Sequence, residues 1–194
     1  MLKKDVREKA EEYNLVTAHK KDSTGVCFIG ERDFKEFLKN YIPSLPGDII
    51  DTSGNIIGKH EGTMYYTIGQ RHGLGIGGDG EPWFVCGKDM EKRIVYACQG
   101  RNNPLLYSNK IILSNINFFN EPPIEGSHIT AKFRYRSKDD EVIIHYIDDG
   151  MMVEVPNKAW AVTPGQACVF YDGEYCLGGG IIEKAYMDDE ERHY

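Results

Sequence analysis

The chain has 194 residues and a formal net charge of −7, with 41% hydrophobic and 27% charged residues, an ordinary composition for one large globular domain or two small ones. No run approaches 18 consecutive apolar residues and MLKKDVREKAEEYNL lacks the apolar stretch of a signal peptide, so neither a helical membrane span nor a secretory leader is expected, and the chain is expected to be cytoplasmic, with no membrane partner. The acidic balance argues against indiscriminate nucleic-acid binding but leaves room for a local basic stripe.

Residues 5–13 (DVREKAEEY) predict a short helix, with Val6, Ala10 and Tyr13 on one face. It has no sheet before it and reads as the last helix of something that begins elsewhere. The loop KKDSTGVC follows. Residues 32–42 (RDFKEFLKNYI) predict a second amphipathic helix, ended by Pro43. GDIIDTSGNIIGKH predicts two strands around a Ser53-Gly54-Asn55 turn, and EPWFVCGKDMEKRIVYACQG a hairpin turning at Asp89 to Lys92. RNNPLLYSNK reads as a linker. Beyond it, KIILSNINFF, HITAKFRYR, EVIIHYI, MMVEV, WAV, QACVFY and EYCLGGGIIE are short strands separated by turn signals such as Asp149-Gly150, Thr163-Pro164-Gly165 and Asp172-Gly173. The tail MDDEERHY is expected to be disordered.

The expected fold is mainly β: short N-terminal helices, a small mixed central domain and a C-terminal antiparallel β-barrel. The boundaries are 1–31 for the first helix and cysteine loop, 32–108 for the central domain, 109–186 for the barrel and 187–194 for the acidic tail.

There are five cysteines, at 27, 86, 98, 168 and 176. None has C-x-x-C or zinc spacing, so no metal site is expected and the thiols read as free. Cys86, Cys98, Cys168 and Cys176 fall in apolar strands and read as core. Cys27 stands apart. Lys20, Lys21 and Arg32 flank a loop rich in Ser, Thr and Gly, a setting that favours a thiolate, although a buried inert thiol remains the commoner role for a lone cysteine.

The run GLGIGGDG formally matches G-x-G-x-x-G. EPWFV, a strand, follows it where a dinucleotide site needs a helix, so it reads as a β connection. In HITAKFRYR the alternation places Ile129, Ala131, Phe133 and Tyr135 on one face and Lys132, Arg134 and Arg136 on the other. The second set suits either a solvated outer face or a rail for a phosphate backbone. In YYTIGQRHG, Arg71 suits a salt bridge or a phosphate.

Taken together and in order, KKDSTGVCFIGER, MYYTIGQRHGLGIGG, FRYR and AVTPGQACVFYDGEYCLGGGII resemble the tRNA-specific 2-thiouridylases (MnmA, also called TrmU) from about residue 5 to about 185. The resemblance implies the C-terminal portion of such an enzyme, without the N-terminal domain that binds ATP and Mg and carries a first catalytic cysteine. It implies that Cys27 is the second catalytic cysteine and receives sulfur as a persulfide. It implies that Arg134, Tyr135 and Gln166 contact tRNA. The activity implied is that of an ATP-dependent tRNA-uridine 2-sulfurtransferase making 2-thiouridine at the wobble position. The partners implied are tRNA and a sulfur donor, either a cysteine desulfurase or a sulfur relay protein. This chain alone is not expected to complete the reaction. The alternative is a standalone RNA-binding barrel without catalysis.

Overall fold

α1 covers Lys3–Glu12 and carries Asp5 in its first turn and Lys9 in its last, charges placed to favour the helix dipole. Asn14 stops it in the left-handed region at φ 50. The amides of Asn14 and Leu15 then turn back to Glu11 O and Ala10 O, both at 2.9 Å. No residue of the helix is buried. The computed structural model describes residues 3–20, 37, 40–135 and 137–192. Cys27 and residues 32–36, 38 and 39 of the expected second helix lie outside the described residues. The chain divides into two compact units, residues 1–43 and 44–194.

The second unit holds two sheets. The first consists of β1 (Gly47–Ile50), β2 (Ile56–His60), β3 (Trp83–Asp89) and β4 (Ile94–Gln99), in the order β2-β1-β4-β3. β1 and β4 run parallel, and the other pairs are antiparallel. Both hairpins turn where the sequence predicts. Asp51 accepts the amides of Ser53 and Asn55 at 2.8 Å, and Asp89 accepts the amide of Lys92 at 2.8 Å. Alternation along β3 and β4 sends Val85, Val95 and Ala97 to one face with Ile49, Ile68 and Leu74. It sends Phe84, Cys86 and Cys98 to the other face with Leu106.

The second sheet contains β5 (Tyr107–Phe118), β6 (His128–Lys132), β7 (Asp140–Ile147), β8 (Gly150–Trp160), β9 (Ala167–Asp172), β10 (Tyr175–Met187) and the two-residue β11 (Glu190–Glu191). Its order is β11-β10-β5-β8-β7-β6-β9, and β10 also pairs with β9. Six antiparallel strands therefore close a barrel. Phe133, Phe170, Ile111, Leu113, Ile144 and Met151 fill it, each such side chain contributing about 1.5–3 kcal/mol by leaving water. Glycine is required where β10 is wedged between two partners. A β-carbon on Gly179 would stand 2.2 Å from Cys168 O, and one on Gly178 2.1 Å from Asn117 O.

Five expectations are corrected. The linker read over 101–110 ends early, because Pro104–Leu106 form a 3-10 turn and β5 starts at Tyr107. MMVEV and the Trp160 of WAV belong to one strand, β8, and Ala161 and Val162 lie past its end. Between the pairs Lys110↔Glu154 and Ser108↔Ala159 four residues of β8 face one of β5, and this bulge holds Pro156 and Lys158 at φ 59. HITAKFRYR is strand only to Lys132, and the alternation still carries Phe133 into the core but fails at Tyr135. Cys176 is exposed, not core. The acidic tail is ordered through its described residues: β11 pairs back on Tyr186 and Met187, and Arg192 donates to Tyr107 O at 2.8 and 3.0 Å and to Pro104 O at 2.9 Å.

Candidate nucleic-acid interface

Two tight turns of the same design meet on one side of the barrel. Thr67-Ile68-Gly69-Gln70 closes with Gln70 N on Thr67 O at 2.9 Å, and Thr163-Pro164-Gly165-Gln166 with Gln166 N on Thr163 O at 3.2 Å. Their glycines have φ 77 and 81, as the third position of a type II turn requires, and Pro164 presets the second position. The first turn is pinned to β3 by Gly69 N on Val85 O at 2.7 Å and Val85 N on Gln70 O at 3.0 Å. The second is pinned to β10 by Gly165 N on Ile182 O at 2.8 Å and Ile182 N on Gln166 O at 2.9 Å. A β-carbon on Gly69 would sit 2.6 Å from Ala161 Cβ, so the first turn lies directly against the chain leading into the second.

Arg134 crosses this seam. β6 ends at Lys132, and the chain turns, with Ser137 N and Oγ donating to Arg134 O at 3.1 and 2.8 Å. The turn swings the Arg134 guanidinium onto the first TxGQ turn, where Nη2 donates to Ile68 O at 2.5 Å. Its carbon also stands 5.5 Å from the centre of the Trp160 ring. Burial pulls this guanidinium below its ordinary pKa. Trp160 is shared. Arg101 lies over the same ring at 5.0 Å, and the indole Nε1 donates to Arg101 O at 3.2 Å.

The same turn settles where Tyr135 points. Phe133 is 2% exposed inside the barrel, whereas Tyr135 is 93% exposed. Placing Tyr135 on the core face is thus corrected: it has left the strand. β6 and β9 are antiparallel with Lys132 opposite Val169, so Arg134 and Tyr135 share a barrel end with Gln166, which is exposed. The structure therefore brings Arg134, Tyr135 and Gln166 to one end. Of the three cations expected to form a rail, two are described, and both are engaged with this chain. Lys132 pairs with Asp139 at 3.3 Å, Arg134 turns into the seam, and Arg136 lies outside the described residues. Among the described residues, no group of three or more His, Cys, Asp or Glu side chains is placed to hold a metal ion.

The whole chain is similar to known proteins. Models of one family match in series: the tRNA methyl transferase HUP domain over residues 1–31, the tRNA methyl transferase PRC-barrel domain over 35–99 and the aminomethyltransferase beta-barrel domain over 108–182. The tRNA-specific 2-thiouridylase MnmA of Bacillus subtilis is 55% identical over 197 residues, that of Lacticaseibacillus paracasei 53% over 201 and that of Listeria monocytogenes 50% over 196. The chain belongs to the tRNA-specific 2-thiouridylase family. Each of these matches takes in 100% of the chain and 53% of the relative, so the chain spans about half the length of these 2-thiouridylases.

Within this member of the family, sequence reasoning missed Trp160, Ile68 and Arg101. Trp160 and Arg101 sit in a stretch read as a plain strand and a stretch read as a linker. Ile68 takes part through its carbonyl, which no side-chain pattern reveals. The repeated T-x-G-Q string was a signal that could have found both turns.

Proposed function

We propose that this chain is the sulfur-accepting and tRNA-binding portion of an ATP-dependent tRNA-uridine 2-sulfurtransferase that makes 2-thiouridine. One observation of geometry carries the RNA half of the reading. Tyr135 is an aromatic ring held out in water at 93% exposure by a turn whose preceding residue, Arg134, is anchored on Ile68 O. Exposed aromatic rings beside guanidinium groups stack on unpaired bases and meet phosphates. Gln166, on the neighbouring turn, adds a side-chain amide that can both donate and accept.

Cys27 carries the chemistry in this reading. Its thiolate attacks the outer sulfur of a donor persulfide, takes that sulfur and releases the donor as a thiolate. The persulfide sulfur would then add to C2 of a uridine turned out of its stack, with the C2 oxygen, adenylated by ATP, leaving as AMP; the Cys27–sulfur bond would break as the first catalytic cysteine implied by the resemblance attacks Cys27, supplying the two electrons and leaving the two cysteines as a disulfide. The reading rests on the place of Cys27 in KKDSTGVCFIGER and on family membership. In this reading ATP belongs to the N-terminal domain that the family resemblance implies, and Gly73–Gly80 is a β connection, since it leads into β3 with no helix N-terminus after it. Thiolation of tRNA by this chain alone is therefore not expected.

The test is intact mass under non-reducing conditions after treatment with a cysteine desulfurase and cysteine. Wild type gains one sulfur atom, reductant removes it, and Cys27→Ser gains none. Equal masses for the two, with a Cys27 thiol slow toward an alkylating agent, leave only a standalone RNA-binding barrel.

A further inference from the structure

β3 and β4 carry two thiols that neither the RNA interface nor the sulfur transfer uses, Cys86 and Cys98. The strands are antiparallel, with Phe84 opposite Cys98 and Val85 opposite Ala97, and the next pair is Gly87 with Tyr96. Cys86 is therefore the extra residue of a β-bulge. Its side chain joins the face that carries Phe84, Cys98 and Leu106. The steps from Phe84 to Gly87 are matched to the fewer steps from Cys98 to Tyr96, so Cys86 falls short of Tyr96 and is drawn toward Cys98. That is nearer than the diagonal neighbour of a regular ladder. The two thiols share a hydrogen bond.

The two sulfurs are not equivalent. The bond to Cys98 holds the Cys86 thiol below its ordinary pKa, and the Arg192 charge acts the same way, against the cost of burial. The same bond and burial push Cys98 up. Cys98 thus keeps its proton and donates it, and Cys86 is the sulfur that becomes a thiolate. Access differs in the same sense. Cys98 is 1% exposed. Cys86 lines an open groove of about 1150 Å³ whose walls include Tyr96, Leu105 and Arg192, and Cys98 is not part of that wall. Acids outnumber cations along the groove, among them Asp89, Glu190 and Glu191. Such a wall admits a small neutral oxidant and disfavours an anionic one such as oxidised glutathione.

We infer that Cys86 and Cys98 form a redox-active dithiol, which hydrogen peroxide oxidises to a disulfide between β3 and β4, with Cys86 attacking and Cys98 resolving. The Cys86 thiolate attacks one peroxide oxygen, the O–O bond breaks, and hydroxide leaves and takes a proton to become water. Cys86 is then a sulfenic acid. The Cys98 sulfur attacks the Cys86 sulfur while the Cys98 proton moves to the departing hydroxyl, which leaves as a second water. Each sulfur gives up one electron and the peroxide takes up both. The site borders the RNA interface through the chain itself: Val85, next to Cys86, holds the first TxGQ turn by its amide and its carbonyl.

The experiment treats the native 194-residue chain with hydrogen peroxide, blocks the remaining thiols with N-ethylmaleimide, and maps the digested peptides by mass spectrometry. The expected product is a reductant-sensitive peptide pair joining Cys86 to Cys98, two hydrogens lighter than the separate thiols. It forms at least about tenfold faster than any oxidation of Cys168, whose pKa burial raises. Cys98→Ser stops the reaction at the Cys86 sulfenic acid, which dimedone traps, and Cys86→Ser leaves Cys98 reduced. Both thiols still reduced in wild type at a peroxide dose that has oxidised the exposed Cys176 overturn the proposal. So does a Cys86–Cys98 link no more frequent than links of either thiol to Cys27 or Cys176. Dimedone on Cys98 in Cys86→Ser, with none on Cys86 in Cys98→Ser, overturns the assigned roles. The wild-type map needs no substitution, so it decides the matter even where a serine variant fails to fold.

Discussion

Gly69→Ala tests the seam directly. The residue has φ 77, and the β-carbon that alanine adds would stand 2.6 Å from Ala161 Cβ and 2.8 Å from Trp160 Cη2. Holding alanine in the left-handed region costs about 1–2 kcal/mol. Forcing a methyl group against a packed alanine and an indole costs about 1–3 kcal/mol more. The turn cannot slide away, because the Gly69 amide is fixed on Val85 O at 2.7 Å and the Ile68 carbonyl on Arg134 at 2.5 Å. The expected loss is therefore about 2–5 kcal/mol. Equilibrium urea unfolding followed by tryptophan fluorescence and circular dichroism measures it. A second arm separates strain from clash. Ala161→Gly removes the opposing methyl and relieves a residue that is itself at φ 52, so Gly69→Ala in that background recovers about 1 kcal/mol as a coupling energy. Stability of Gly69→Ala within about 0.5 kcal/mol of wild type, or strict additivity of the two changes, refutes the packing described at this seam.

The remaining predictions concern the tail, the thiols and one carboxylate. Arg192→Ala removes the donors to Tyr107 O and Pro104 O; amide exchange protection at Arg192 falls sharply while global stability drops by about 1–2 kcal/mol, and unchanged protection defeats the tail assignment. Among the described cysteines, Cys176 is alkylated in the native state and Cys168 only on unfolding, since burial excludes reagent and pushes the Cys168 thiol up; peptide mapping that finds Cys168 modified as fast as Cys176 contradicts its place in the core. Glu125 is held below its ordinary carboxyl range by the Tyr146 amide at 2.7 Å and by His145 at 2.9 Å. Its folded-state value is depressed, so its contribution is present above about pH 4.5, the unfolded value, and is lost as pH falls through the folded one. Acid titration of stability therefore flattens in Glu125→Gln, and an unchanged profile removes Glu125 from the account.

The fold was legible where one physical signal dominated. Asp51 and Asp89 announce their hairpins because an aspartate that caps its own turn needs little help from elsewhere. Alternating Ile111 and Leu113, or Val153 and Val155, announce strands because one face meets the barrel core. Legibility failed where tertiary pairing overrode local pattern. Pro156 reads as a break, but a bulge lets β8 continue past it. Tyr135 reads as core by parity, but parity holds only while the strand lasts, and β6 ends at Lys132. The acids of the tail read as disorder, yet Lys110, far back in the sequence, pairs with Asp189, and Lys184 pairs with Glu191 across the β10–β11 turn. At the site, Arg134, Tyr135 and Gln166 came through resemblance. Their common location, and the indole that organises the arginines, came only from the fold.

The barrel is a ring with one latch. β10 pairs with β9 over Tyr175–Ile181 and with β5 over Gly178–Tyr186, and it comes later in sequence than every other strand of the ring. Its partner β5 begins at Tyr107, so closure joins segments some 70 residues apart, a slow and long-range step. Before the latch shuts, β5 and β9 both present unpaired backbone over apolar faces, the form of a sheet that is open to adding a stranger's strand. After it shuts, the ring has no edge left to offer. The three successive glycines of β10 thus decide more than local geometry: they set whether a half-made barrel becomes a closed one or a seed for aggregation.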